Sequence, residues 1–588
     1  MKKLFTLLSV FVLAIGAQEL QATTWYVRLT GSTAWADKPE GLIKTVDPIH
    51  GVYNMINAAE ASVDTIWIAS GTYYLNLMIP ALKPNRVVFG GFAGTENAVS
   101  DRALADADGN GLVEPWEFAN PTIFEPSETM AADNQRAMVL TSASPNTVVD
   151  GIIFQNYHNK NTTGIIFING APNAKIRNTV LRNSSMTVGS GFVNGIFTVN
   201  SGEAINCVVE FCTVENTAET GGGADGAFRI IGNTAGVNSG RAIGCVARGN
   251  KVISASPSTG RGGGFAVGSL KNSTNGAALI NSIAYNNYAS ADGGGILLVN
   301  VTRDAVSFNV RDSVINCTAV NNVSGAQGAG IAVVAGGYLY NTVAWGNTGA
   351  GETATDIAFM NGGTVDTPNK FYVNNITGNY AKFANTWQED DAVHFPQLTK
   401  VVNLTAATSI LLADRPSNTD DVVGDPTLYA PKFENPTAFQ GRSTSEDGFD
   451  AAPTAADTLA IRQANWTPKQ YSPLINAGNA TYVTISTDLM GEARVQKGKP
   501  DLGALETDHT LTGTITNGKL GVTLAQSGNE ICLSGIDGRF EVYVYDTNAR
   551  LIKTLRSNDA VSFSLSNKGV YILHVAIGSD VKVMKVVL

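Results

Sequence analysis

A glycine opening a short apolar strand recurs through the middle of this chain, and no other feature constrains its fold as tightly. It stands at Gly164-Ile165-Ile166-Phe167, Gly195-Ile196-Phe197, Gly226-Ala227-Phe228, Gly264-Phe265, Gly295-Ile296 and Gly330-Ile331, in steps of 31, 31, 38, 31 and 35 residues. A second series interleaves with it: Ile205-Asn206-Cys207, Ile243-Gly244-Cys245, Ile280-Asn281-Ser282, Ile315-Asn316-Cys317 and Tyr340-Asn341-Thr342. Six residues after the Asn or Gly of that series stand Asn250, Asn287, Asn322 and Asn347. Both series are short strands closed by Asn and Gly, the residues that accept the positive φ of tight turns. No 3.6-residue periodicity separates them. Strands that repeat every ~20–45 residues without intervening helices stack into a parallel β-solenoid. The same slot on successive rungs then forms a ladder along which asparagines hydrogen-bond. Cys207, Cys245 and Cys317 share a slot with Ser282 and Thr342 that is predicted to face inward, so they read as small core residues rather than as metal or redox ligands.

Composition narrows the function classes. Charged residues are 15% of the chain, against roughly 25% in an average soluble domain. The net charge is 40 − 50 = −10, and no basic stripe follows the first residues, which argues against a nucleic-acid partner. Met1-Lys2-Lys3 followed by the apolar run 4–15 reads as a secretory signal peptide, assigned to residues 1–22. That run is too short for a permanent transmembrane segment, and no later run reaches ~18 apolar residues. Five cysteines, the first at Cys207, give neither a lipoprotein anchor near the leader nor a disulfide framework.

Residues 507–521 are rich in Thr, Gly and Asn and read as a linker. Beyond them, Phe540-Glu541-Val542-Tyr543-Val544-Tyr545-Asp546 alternates as a half-buried strand should, and four more strands follow, at 551–555, 561–565, 570–575 and 581–588. Residues 522–588 are therefore predicted to form a small antiparallel β-sandwich.

Three groups of residues are candidates for chemistry. DADGNGLVEPWE places Asp106, Asp108 and Asn110 at positions 1, 3 and 5 of an EF-hand-type loop, Gly111 at the turn, the Leu112 carbonyl at 7, Glu114 at 9 and Glu117 at 12. Hard oxygen donors at alternate positions suit calcium, with Val113 where such loops put an apolar anchor. Four residues after the Asn/Gly slot come Arg182, Glu210, Arg248, Tyr285, Val320 and Trp345, a column that strand alternation puts on the outside. There Arg248, Tyr285 and Trp345 would offer a sugar stacking faces and a donor. Asp225, Arg229, Arg261, Asp292 and Arg303 are the acid–base candidates for a lyase, but they fall at unequal repeat slots. The five histidines (His50, His158, His394, His509 and His574) show no metal-ligand spacing.

Strings such as GRGGGFAV, ADGGGILLV, LINSIAYNN and VINCTAVNN resemble the right-handed parallel β-helices of the pectin-lyase-like superfamily. DTIWIASGTYYL, VVFGGFAGTE and VVDGIIFQN resemble the opening of exported bacterial β-helix proteins. YSPLINAGN followed by DLMGEARVQKGKPDLGALE resembles the closing segment of the choice-of-anchor Q family. The ending, with KGVYILHV and KVMKVVL, is similar to the type A C-terminal sorting domain of the type IX secretion system, although the usual Tyr-Pro-Asn-Pro-like opening is absent near Leu520.

The resemblances imply an all-β chain: a right-handed parallel β-helix over 23–506, with the calcium-type insertion at about 101–120 and a closing segment at 471–506, then the sandwich. They imply export to the cell surface or beyond, with the type IX machinery as a partner of the tail. The leading functional expectation is binding of an extracellular polysaccharide or glycoprotein, in the manner of an adhesin. A polysaccharide lyase or glycoside hydrolase on the same fold is the rival, and a structural cell-envelope element is the third reading.

Overall fold

The computed structural model describes residues 23–349 with short interruptions and without 301–311, four short strands between 356 and 383, residues 431–507 with short interruptions, and most of 523–588. The leader at 1–22, Arg303, His394, His509 and nearly all of the linker lie outside the described residues.

One turn of the chain consists of four short strands, Lys175–Arg177, Val180–Arg182, Ser185–Val188 and Phe197–Val199. The next turn repeats them as Glu203–Ile205, Val208–Glu210, Thr213–Asn216 and Phe228–Gly232. Each strand pairs in parallel with its counterpart one turn on: Lys175 with Glu203, Val180 with Val208, Ser185 with Thr213, Phe197 with Phe228. Among the described residues this builds four parallel sheets of 12, 10, 7 and 9 strands, here the first to fourth sheets in the order a turn visits them. The product is a right-handed parallel β-helix, the hand that right-twisted strands impose on parallel crossovers. Among the described residues its rungs run from Thr23–Leu29 to Ala381–Phe383.

Each turn changes direction at a residue with left-handed backbone. From the first to the second sheet these are Asn178, Asn206, Gly244, Asn281, Asn316 and Asn341, with φ of 48°, 53°, 62°, 51°, 53° and 50°. At the second-to-third corner Asn183, Gly249, Asn286, Asn321 and Gly346 do the same, and Phe211 joins them at φ 54°. An aromatic residue in that region is a genuine outlier. Its ring lies where a Cβ on Gly249 would stand, only 2.5 Å away, so packing on the next rung holds it in place.

The glycine column exists because there is no room for a Cβ. On Gly264 or Gly295 that atom would fall 2.7 Å from the carbonyl of Gly295 or Gly330, and 2.9 or 2.6 Å from the amide nitrogen of Asn287 or Asn322. Those asparagines form the predicted ladder, buried within the stack. Asn250 Nδ2 donates to Asn287 Oδ1 at 3.0 Å, Asn287 to Asn322 at 2.9 Å, and Asn322 to Asn347 at 3.0 Å. Each Nδ2 also donates to a carbonyl one rung back, and each Oδ1 takes the backbone N–H of the previous rung. The next acceptor in the series is Asp356, whose Oδ1 accepts from Asn347 at 2.7 Å.

Elsewhere the interior is aliphatic and aromatic, with Phe197 and Phe228 stacked at 4.5 Å. Cys207, Cys245 and Cys317 are buried and unbridged, as the inward slot predicts. Burial pushes the Cys317 thiol up to about 12, which leaves it unreactive.

Residues 431–507 cross the outer face of the second sheet. Corner asparagines hold them there: Asn281 Nδ2 donates to Thr487 O at 2.7 Å, Asn286 to Phe439 O at 2.9 Å, Asn321 to Thr437 O at 3.0 Å and Asn341 to Asn479 O at 3.0 Å. The segment carries one two-turn helix, Ala455–Arg462, capped by Thr454 and Asp457. Within its closing string Arg494 is fully buried, 3.1 Å from Glu506 and donating to the Asp501 carbonyl at 3.0 Å.

The tail folds as two antiparallel sheets. Thr523–Ser527, Glu530–Ser534 and Val561–Ser564 form one; Leu551–Ser557, Phe540–Asp546, Val570–Ile577 and Asp580–Val587 form the other. They enclose a core of their own that includes Ile531, Phe540, Val542 and Leu573. The first hairpin adds two strands to the five that alternation marks.

Candidate functional site

The outward column of the second sheet is in register, as expected: Arg182 opposes Glu210, Glu210 opposes Arg248, Arg248 opposes Tyr285, then Val320 and Trp345 follow. It is roofed, however. Arg248 is 5% exposed and Tyr285 3%, beneath Trp466, Leu489 and Leu505 of the closing segment, with Trp116 of the inserted loop in the same apolar cluster. Tyr285 turns its ring to Trp466 at 5.5 Å, and Trp345 packs against the cluster from its edge. In this arrangement a sugar has no approach to Arg248 or Tyr285.

Under the roof lies an ionic network. Arg248 Nε donates to Glu210 Oε2 at 2.8 Å, and its Nη1 to Tyr285 Oη at 3.0 Å and to Asp108 Oδ2 at 3.1 Å. Arg462, on the closing helix, donates from Nε to Glu210 Oε1 at 3.2 Å, with its guanidinium over the Phe211 ring at 5.1 Å. Burial alone would raise the Glu210 carboxyl, but the charges of Arg248, Arg462 and Arg182 outweigh it and hold the group down at about 2. A cavity of about 20 Å³, lined by Glu114, Arg248, Tyr285, Trp116 and Trp466, has room for one water.

The inserted loop meets this network at its acidic end. It leaves the first sheet after Val87–Phe92 and returns in Thr122–Pro126 of the second. The Leu104–Phe118 bridge closes its base, and Arg102 pins it to Gly90 O at 2.9 Å and Asp150 Oδ1 at 2.8 Å. Asp106 Oδ1 accepts from Gly109 N at 2.8 Å and Asn110 N at 3.1 Å, which curls the loop inward. Asp106, Asp108 and Glu117 then bring carboxylate oxygens within 4.8 Å of one another. Glu117 also accepts the N–H groups of Ala107 and Glu114, each at 3.0 Å. Asn110 turns its Nδ2 to Glu114 Oε1 at 2.7 Å, while its Oδ1 accepts from Leu112 N at 2.7 Å. Burial, and then the neighbouring Glu117 carboxyl, push Glu114 up to about 9. Val113 is 49% exposed and anchors nothing; Trp116 is the apolar anchor instead, because the loop docks on a sheet rather than between two helices.

A second cluster assembles where the sequence offers only scattered slots. Between the third and fourth sheets some turns make an excursion, whose short strands Phe192–Val193, Gly223–Asp225 and Gly260–Arg261 pair into a small sheet. There Arg261 grips Asp225 with two bonds, Nε to Oδ1 at 3.1 Å and Nη2 to Oδ2 at 3.2 Å. Arg229 Nη1 is 3.7 Å from the same carboxylate, and its guanidinium lies over the Phe192 ring at 5.0 Å. That ring is 41% exposed and rests on Gly223, where a Cβ would meet it at 2.9 Å. Asp292 stands on the next turn, its carboxyl raised by burial and countered by the Gln327 N–H and the Arg261 charge. Unequal loop lengths hide this grouping from any count of repeat slots. An exposed Phe paired with a glycine one rung on is the one signal that could have found it.

The three described histidines take no part. His158 Nδ1 lies 2.8 Å from Ser185 Oγ, His50 Nε2 lies 3.3 Å from Thr129 Oγ1, and His574 packs against Tyr545 in the tail.

No family model matches the chain, and no curated protein matches it. Among solved structures it is similar to the A-module of the mannuronan C-5 epimerase AlgE4 of Azotobacter vinelandii, at 12% identity and a TM-score of 0.28, over 57% of this chain and 84% of that one. It is also similar to a rhamnogalacturonan lyase, at 14% identity and a TM-score of 0.33, over 62% of this chain and 83% of that one.

Proposed function

We propose that this is an exported, surface-associated β-helix protein that binds extracellular glycan, and that the contact is made at Phe192 and Arg229. The observation that carries this reading is a half-exposed ring that rests on the Gly223 backbone and has the Arg229 guanidinium over it. Such a ring presents an apolar face ready-made, and the apolar face of a pyranose fits it with little ordering cost. Arg229 and Arg261 stand beside it as donors for hydroxyls or for a uronate carboxylate. The roofing of Tyr285 moves the binding reading from the second sheet to this patch.

The test is retention of the purified full-length chain on a panel of neutral and uronate-bearing polysaccharides. Phe192→Ala is expected to weaken retention by about threefold to tenfold, the worth of one aromatic contact. Arg229→Ala should weaken it further, and unchanged retention in both variants would sink the reading. A lyase is the second reading, favoured by two acids, Asp225 and Asp292, flanking Arg261. The same panel, scored for unsaturated ends, separates it from binding alone.

Export rests on the leader-like residues 1–22 and on the resemblance of 522–588 to a type IX sorting domain. The tail has a core of its own, so deleting 520–588 is expected to leave the passenger folded but held in the periplasm. Surface delivery of the truncated protein at normal yield would refute the sorting role.

A further inference from the structure

We propose that the loop at 106–117 is a site for a hard divalent cation, calcium by its donor set, and that filling it clasps the closing segment 431–507 onto the second sheet. Two independent observations point to a ligand. Asp106, Asp108 and Glu117 converge their carboxylate oxygens within 4.8 Å. Beside them Glu114 is 6% exposed, and its Oε2 has no hydrogen-bond partner. A buried carboxylate oxygen without a donor costs free energy, and a cation is the partner that its three acidic neighbours also want. Asp106, Asp108 and Glu117 bring three carboxylates to one point, with the buried Glu114 carboxyl beside them. Among the described residues the one side-chain cation bonded to them is Arg248, at Asp108, and it already serves Glu210. Oxygen donors of this number and hardness suit calcium better than a softer metal.

The clasp follows from what else the loop touches. Asn465 Nδ2, on the closing segment, donates to the Asn110 carbonyl at 3.2 Å. Arg248 Nη1 reaches both Asp108 and, at 3.4 Å, the carbonyl of Arg462. Trp116 shares its apolar cluster with Ile461, Ala464 and Trp466. A cation that fixes Asp108 and Asn110 therefore fixes the carbonyl that Asn465 holds and the carboxylate that sets Arg248 against the Arg462 carbonyl. Linkage makes the effect reciprocal: what the ion adds to docking, docking adds to ion affinity.

The experiment uses the full chain with calcium chloride, against a chelator and against magnesium chloride. Titration calorimetry reads binding, and hydrogen exchange by mass spectrometry reads protection of 455–469. Calcium is expected to bind and to slow exchange there by about tenfold or more, with Glu117→Gln losing both effects. Asn465→Ala keeps every ligand, so it should still bind calcium, more weakly, while losing most of the added protection. No heat in the unaltered chain overturns the site. Heat with unchanged exchange at 455–469 overturns the clasp, and because the unaltered chain decides both points, a misfolded variant does not blur the result.

Discussion

Glu210→Gln is expected to be among the most damaging single substitutions in the molecule, costing about 3–5 kcal/mol at neutral pH. The change preserves shape and removes one charge, but that charge is what Arg248 and Arg462 share beneath the roof. Without it the two guanidiniums, with Arg182 on the adjacent rung, face one another in a buried site. The effect carries a pH signature. Glu210 ionises at about 2 in the folded chain, below its ordinary 4.5. It therefore stabilises fully above about 4.5, and that contribution is lost as the pH falls from there through about 2. Thermal unfolding of both proteins across this range should show a wide gap at pH 7 that narrows towards pH 2. A gap independent of pH would mean that Glu210 acts through packing and not through charge.

Breaking the asparagine ladder at its centre should cost about as much. Asn322→Ala removes the acceptor for both the backbone N–H and the Nδ2 of Asn287, and the donor to the Ala284 carbonyl. Each buried orphan costs about 1–3 kcal/mol, so the three together are expected to cost about 3–9 kcal/mol in urea unfolding. Asn322→Asp should not rescue it, because a carboxylate restores the acceptor but turns a charge, and no donor, towards Asn347 Oδ1. Asp356 shows what a carboxylate does in this series: its Oδ1 accepts both the backbone N–H and the Nδ2 of Asn347. If Asn322→Asp were as stable as the parent chain, the directional account of the ladder would be wrong.

The parts of this fold that were legible in the sequence are those where backbone geometry admits only one or two residue types. The corners at Asn206, Gly244, Asn281, Asn316 and Asn341 require positive φ, and the column at Gly264, Gly295 and Gly330 excludes a Cβ, so both leave a periodic trace. Phe211 breaks the corner rule and was invisible to it, since packing on Gly249 and Arg462 overrides its backbone preference. Asp356 follows Asn347 by 9 residues, with no full rung between them, so no repeat spacing marks it as a member of the ladder. The outward column from Arg182 to Trp345 was found correctly by alternation. Its burial was not, because the covering residues 431–507 have no repeat, and alternation says only which way a side chain points. The acidic loop was legible as a ligand pattern, while its dock on Arg248 joins residues 140 apart. The Phe192 patch leaves no periodic trace, being built by excursions of unequal length.

The corner asparagines also decide how the molecule would carry a load. A bare stack of rungs pulled from its last turn yields one rung at a time, since each turn is held only by its neighbour. Here the chain does not leave from the last turn. Residues 431–507 run back across the stack, tied to Gly249, Asn281, Asn286, Asn321, Asn341 and Gly346, which belong to four consecutive turns. Tension arriving through a tethered tail at residue 507 would meet ties to several turns in succession before any rung could peel.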